Sequence, residues 1–243
     1  MNSVRTHYET LLANLYTWLM GGFGQASENN MRFFTARGFS PGANGRAVDL
    51  GAGSGFQSVP LAQLGYAVTA IDLSSTLLQE LELHRNNLDI HIVNDDILAL
   101  KKHIQAPCEL VVCMTDTLTH LPTKADVRQL LKDVYACLSE QGKFVISFRD
   151  LSEPLEDTDR FIPMRSDENT IFTCFLEYET DTVNVNDIVY LRDNGEWKLH
   201  KSSYKKLRLS LRWLTDMLVN TGFSVDESSE QDGFNVLVVS KPS

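Results

Sequence analysis

Seven residues lying between a strand signal and a helix signal, Asp49-Leu50-Gly51-Ala52-Gly53-Ser54-Gly55, have the composition of a ligand-holding turn. Glycine permits a tight turn and lets a ligand approach the main chain, because no Cβ intervenes. The helix that follows presents unpaired N–H groups toward whatever lies above the turn. Two more acidic positions fall at neighbouring strand ends: Asp72, which closes the second strand, and the pair Asp95–Asp96 after the third. A carboxylate at the first can accept hydrogen bonds from both ribose hydroxyls, and one at the second from an adenine amino group. A single strand-end Asp caps a turn more often than it binds a ligand. Several, in register with a glycine loop, point to a nucleoside site.

Spacing selects the ligand. The dinucleotide fingerprint is G-x-G-x-x-G, whereas here Phe56 occupies the place of the third glycine. Asp49 ahead of the loop would repel a pyrophosphate and suits an ammonium. S-adenosylmethionine carries an α-ammonium and a sulfonium and no phosphate, so the pattern points to it and away from NAD. Methyl transfer from a sulfonium is an in-line displacement that needs alignment and exclusion of water; a base is required only if the acceptor loses a proton. Candidate catalytic residues follow the fourth and fifth strands: Asp116, His120 and Arg149. His120 can act as a general base near neutral pH, or can anchor the loop before Pro122. Arg149 can hold a charged substrate group, or can close an ion pair. An oxygen or nitrogen acceptor is expected, and Asp116, Asp150 and Glu177 favour an amine.

The elements that must position these residues alternate from 46 to 149. RAVDL, AVTAIDL, IHIV, ELVVCM and KFVISF read as strands, with helical spacing between them. Ser74 or Ser75 can cap one helix, and Thr123 with Asp126 has capping-box spacing ahead of another. Near-continuous apolar strands alternating with helices predict a parallel sheet covered on both faces. Residues 150–170 read as polar loop. FTCFLEYE, VNVNDIVYLR and the run after Asp193-Asn194-Gly195 read as antiparallel strands, predicting a β insert over 150–208. Ser210 caps a last helix, stopped by Gly222, and two closing strands follow. One domain over 1–243 is expected, with 1–45 as a helical lid.

The chain holds 32 acidic and 22 basic residues, a net charge of −10, which disfavours nucleic acid. The basic group Lys198, Lys201, Lys205, Lys206 and Arg208 reads as a solvated strand face. Cys108, Cys113, Cys137 and Cys174 have no zinc or redox spacing, and the six histidines form no ligand cluster, so no metal is expected. With no apolar span long enough for a bilayer and no signal-peptide pattern, a cytoplasmic protein without membrane attachment is expected, as a monomer or homodimer.

Residues 46–149 resemble the class I S-adenosylmethionine-dependent methyltransferases. That resemblance implies a Rossmann-like seven-stranded sheet whose last strand is antiparallel, here with the β insert. VDLGAGSG looks like the family's glycine motif, implying that Asp49, Gly51, Ala52, Gly53 and Gly55 surround the methionine part of the cofactor. AIDLS looks like the ribose motif, with Asp72 and Leu73. NDDIL looks like the adenine motif, with Asp95, Asp96 and Ile97, the alignment favouring Asp96. LVVCMTDTLTHLP looks like the segment that passes beneath the cofactor, with Met114, and faces the acceptor. The leading helix of such enzymes often closes the site, which here implicates Tyr8, Tyr16 or Trp18; the helical spacing of Leu11, Leu12, Leu15 and Leu19 equally suits ordinary packing against the sheet. The function implied is methyl transfer to a small molecule. The alternatives are a non-catalytic module that binds S-adenosylmethionine and an NAD-linked oxidoreductase on a similar fold.

Overall fold

The computed structural model describes residues 12–243. Helices α1 (Ala13–Leu19) and α2 (Phe23–Ala36) lead into β1 (Arg46–Leu50), α3 (Ser58–Gln63), β2 (Ala67–Asp72), α4 (Ser75–Arg85), β3 (Ile90–Asn94), α5 (Leu100–His103), β4 (Cys108–Cys113), α6 (Lys124–Cys137) and β5 (Leu138–Phe148). Four strands follow, β6 (Phe161–Ser166), β7 (Thr170–Tyr178), β8 (Thr182–Asp193) and β9 (Glu196–Leu207), then α7 (Leu211–Thr221), β10 (Ser224–Gln231) and β11 (Phe234–Ser240).

Seven strands form the main sheet in the order β10-β11-β5-β4-β1-β2-β3. Strands β1 to β5 pair in parallel, and β11 runs antiparallel to both β5 and β10. Successive side chains of a strand point to opposite faces, so each central run serves two cores. Val48, Leu50, Val111, Cys113, Phe144 and Ile146 pack on one side under α6 and α7. Ala47, Leu110, Val112 and Val145 pack on the other, with Phe33 and Phe34 of α2. The helix starts follow local chemistry: Ser74, Thr123 and Ser210 each accept the N–H three residues ahead, from Leu77, Asp126 and Trp213. Ile71 and Leu50 bring Asp72 and the glycine turn to the same edge of the sheet, where open α/β folds bind ligands.

The insert is a separate antiparallel sheet in the order β6-β7-β8-β9. Asn194 and Gly195 both take positive φ in the β8–β9 hairpin, as a two-residue primed turn requires. Two expectations change here. Residues 150–170 are not all loop, since β6 pairs with β7 along the insert's edge. Pro163 interrupts β6, and its side chains are almost all exposed, so the strand leaves no alternating pattern; an edge is where a strand tolerates proline. Leu12, just ahead of α1, and Leu15 and Leu19 within it pack on the inner face of the insert, with Phe172, Leu176, Val183 and Val185, rather than on the main sheet. Leu11 and Tyr8 lie outside the described residues.

Candidate active site

The turn after β1 folds back over β2. Gly51 and Ala52 both donate their N–H to the Ile71 carbonyl, at 2.9 and 3.1 Å. Gly51 has φ 77°, and a Cβ there would lie 2.9 Å from Thr117 Cβ and nearer still to the rest of that side chain. Gly55, at φ 90°, is pressed in the same way by Leu81 of α4. These two positions therefore require glycine for packing as well as for backbone conformation. Gly53 has room for a Cβ, which would meet Leu77 at 3.6 Å and Tyr16 at 3.8 Å, and it donates its N–H to Asp72 Oδ2 at 2.8 Å, while Ser74 donates its N–H to Asp72 Oδ1 at 2.7 Å. Each carboxylate oxygen keeps a second acceptor direction. Burial raises the Asp72 carboxyl against these bonds.

A cavity of about 290 Å³ opens above this loop. Gly51, Gly53, Asp72, Leu73, Asp96 and Ile97 line one part of it; Thr115, Thr117, His120, Leu121 and Pro122 line the other. Ser74, Leu77 and Tyr16 complete the wall. Among the described residues no lysine or arginine lines it, and two carboxylates do. That donor set fits a cationic, phosphate-free nucleoside such as S-adenosylmethionine and offers nothing to a pyrophosphate. Asp96 keeps one oxygen on the Leu98 N–H, 2.9 Å away, and the other is available to a ligand.

Several candidates stand elsewhere. Asp95 turns away from the cavity: its Oδ2 lies 2.8 Å from both Lys102 Nζ and His103 Nε2, and those two hydrogen bonds hold its carboxyl below the usual range. Asp49, Ala52 and Gly55 form the layer behind the loop. Asp49 is buried and accepts from Ser58 Oγ at 2.6 Å; burial pushes its carboxyl up to about 7, against that bond and with a smaller push from Asp72. Met114 packs into the core on the α2 side instead of facing the ligand. Trp18 donates Nε1–H to Asp167 in the β6–β7 turn at 2.6 Å, so it binds the insert rather than the cofactor.

Tyr16 does line the cavity, stacked on Phe56 with centroids 5.7 Å apart. Burial, then the charge of Asp72, raises its phenol. Between Tyr16 and Trp18 in the chain, Thr17 donates to Glu80 Oε2 at 2.8 Å, and Ser54 of the glycine loop donates to the same oxygen at 2.7 Å.

Asp116 is not a free acid or base. Its Oδ1 accepts the Arg149 N–H at 2.7 Å, and its Oδ2 meets Arg149 Nη1 at 2.5 Å and Lys206 Nζ at 2.9 Å. Burial alone would raise this carboxyl, but Lys206 and Arg149 outweigh it and hold it at about 2. Arg149 is thereby committed to an ion pair, with its guanidinium 3.9 Å over the Phe234 ring. Thr115 and Asp116 both have positive φ, 59° and 70°, a conformation that costs about 1–3 kcal/mol at each non-glycine residue. Thr115 N–H is held by Ser147 Oγ at 2.8 Å. His120 shares that wall of the cavity with Thr115 and Thr117 and is stacked on Tyr204 of β9 at 5.4 Å.

The acidic wall expected to favour an amine is absent. Asp116 is neutralised, Asp150 accepts from Leu211 and Ser152, and Glu177 is an exposed partner of Asn184 and Asn186. Nor is the basic cluster simply solvated. Lys198 and Lys205 pair with Asp193 and Glu179, Lys206 is internal, and Arg208 donates to the carbonyls of Leu151, Ser152 and Glu179. Sequence reasoning missed Thr115, Thr117, Leu121 and Pro122 as wall residues. Their segment was singled out, but nothing local says which of its side chains turn inward. Among the described residues no group of three or more metal-ligating side chains occurs, and no helix is long and apolar enough to cross a membrane.

Comparison with known proteins agrees with this geometry. The sequence profile of a methyltransferase domain matches residues 47–142. A glycine/sarcosine N-methyltransferase from Aphanothece halophytica is 27% identical over 114 residues, 46% of this chain but only 43% of that enzyme, so the chain spans less than half of that relative's length. A provisionally named methyltransferase of Geobacillus sp. is 23% identical over 81% of this chain and 84% of its own. In fold, the CcbJ methyltransferase from Streptomyces caelestis superposes with a TM-score of 0.80 at 18% identity, covering 98% of both chains. The glycine turn, the strand-end carboxylates, the strand order and these matches together give residues 47–142 as a methyltransferase domain and support the class I S-adenosylmethionine-dependent methyltransferase family for the chain.

Proposed function

We propose that this methyltransferase acts on a nitrogen or oxygen of a small-molecule acceptor. The observation that carries the reading is one cavity that joins the nucleoside-binding edge of the sheet to a wall of Thr115, Thr117, His120, Leu121 and Pro122. S-adenosylmethionine supplies an electrophilic methyl group when bound. Asp72 accepts from the ribose, Asp96 from the adenine edge, and the glycine turn leaves room for the methionine part. Leu121 and Pro122 exclude water and the wall as a whole holds the acceptor in line, which is the main protein contribution to such a displacement. His120 takes the proton where the acceptor must lose one, with its ring set by the stack on Tyr204. The Aphanothece relative's name assigns it an amine acceptor, which supports nitrogen over oxygen for this chain.

The test is calorimetry with S-adenosylhomocysteine, followed by release of S-adenosylhomocysteine from the methyl donor across a panel of small amines, amino acids, amino sugars and phenols. Turnover on at least one class is expected, with His120→Gln slowing it about 10²-fold or more. Product binding with no turnover on any class would replace this reading with a non-catalytic binding module. NAD binding in its stead would sink both.

A further inference from the structure

The inner face of β9 touches the turn between β4 and α6 at two points. Tyr204 and Lys206 are two residues apart and share that face, since they pair with the inward residues Val185 and Val183 of β8. Tyr204 stacks on His120, and Lys206 Nζ reaches Asp116 Oδ2 at 2.9 Å. Asp116 and His120 stand at the two ends of the short helical turn Thr117–His120, of which Thr117 and His120 line the acceptor part of the cavity. The turn begins from two consecutive left-handed residues, Thr115 and Asp116, so it needs outside bonds to hold it. Ser147 and Arg149 supply some of these from β5 and its end. Arg149 keeps 42% of its side chain exposed, whereas Lys206 keeps only 11% and Asp116 3%. The ammonium is therefore the enclosed partner and the one contributed by the insert. A buried ammonium is costly unless paired, and an apolar residue would pack at this place without that penalty.

We propose that Lys206 is a positioning residue for methyl transfer: its ion pair with Asp116 carries the placement of the inserted sheet into the Thr115–His120 turn and so fixes where Thr117 and His120 stand toward the acceptor. The inference rests on the functional reading above and specifies it. Lys206 itself touches neither donor nor acceptor; it acts through Asp116. The insert is thus part of the active site through a charge as well as through apolar packing.

Full-length wild type, Lys206→Met and Lys206→Arg are compared in two measurements that need no acceptor. Amide hydrogen exchange should quicken at least tenfold over residues 115–121 in Lys206→Met, while residues 46–72 stay within twofold, and Lys206→Arg should restore slow exchange. The dissociation constant for S-adenosylhomocysteine should stay within twofold in both variants. With an acceptor from the panel, its KM should rise at least fivefold in Lys206→Met with the KM for the donor unmoved, a split that a general loss of stability would not produce. Unchanged exchange at 115–121, or equal quickening at 46–72, overturns the proposal. Should Lys206→Met not fold, Lys206→Met with Asp116→Asn, which leaves no uncompensated buried anion, carries the same exchange test. A wild-type chain that binds no S-adenosylhomocysteine would instead refute the proposed function.

Discussion

Asp49 offers the sharpest energetic test, because a carboxylate this enclosed works against the fold. It is buried, with Ser58 Oγ as its hydrogen-bond donor, and burial moves its carboxyl from 3.8 up to about 7. At about 1.36 kcal/mol per pH unit, that displacement corresponds to about 4 kcal/mol. The sign follows from proton linkage. Between pH 4 and 7 the folded chain holds a proton at Asp49 that the unfolded chain has released, so stability falls as pH rises through that window. Above about 7 the full penalty is present. Asp49→Asn keeps an oxygen acceptor for Ser58 and removes the charge. At pH 8 it should stabilise the ligand-free protein by about 2–4 kcal/mol, discounting for the relaxation of neighbouring groups, or roughly 5–15 °C in melting temperature for a chain of this size. At pH 4 the two proteins should melt together. Thermal denaturation of both from pH 4 to 8 measures the difference directly. Parallel curves across that range would refute the assignment of a raised, burial-driven carboxyl. The gain should be offset in binding, since a cationic donor favours the ionised carboxylate, and the variant should bind S-adenosylmethionine more weakly at pH 8.

Asp72→Ala should weaken S-adenosylhomocysteine binding by about 1.5–3 kcal/mol, the range for hydrogen bonds to a charged acceptor, and calorimetry showing unchanged affinity would contradict the ribose assignment. Gly51→Ala should lower the melting temperature far more than Gly53→Ala: the added Cβ meets Thr117 at the first and nothing nearer than 3.6 Å at the second, although both need a positive φ. Asp116→Asn should remove a stabilisation of about 2 kcal/mol. In the wild type that contribution is present above pH 4 and lost as the pH falls through about 2, so acid titrations of the two proteins should converge at the low end.

How far the site could be read from the chain depends on whether neighbours in sequence or in space decide each position. Ser74, Thr123, Ser210 and the Asn194-Gly195 turn act on residues within three of themselves, and their roles were legible. The glycine turn and the place of Asp72 beside it were legible because backbone geometry limits that edge of the sheet to few residue types. Asp95 and Asp96 look alike in sequence; what separates them is Lys102 and His103, which draw one carboxylate toward α5. Trp18 reads as an aromatic suited to a cofactor until Asp167, 149 residues away, claims its N–H. Asp116 shows the same limit, because its partner Lys206 lies 90 residues on, within a run that reads as a solvated strand. β6 failed for a different reason, since an exposed edge strand holding Pro163 shows no alternation of apolar and polar side chains.

Three successive residues of α1 answer to three different bodies: Tyr16 walls the cavity, Thr17 is bonded to Glu80 of α4, and Trp18 is bonded to Asp167 of the insert. Any swing of this helix that unroofs Tyr16 must therefore break an anchor on each side. A guest passing out beneath Tyr16 would need the grip on the second sheet released as well, which ties the opening of this side to the insert. Weakening either anchor should therefore ease that opening while leaving the acceptor side of the cavity as it is.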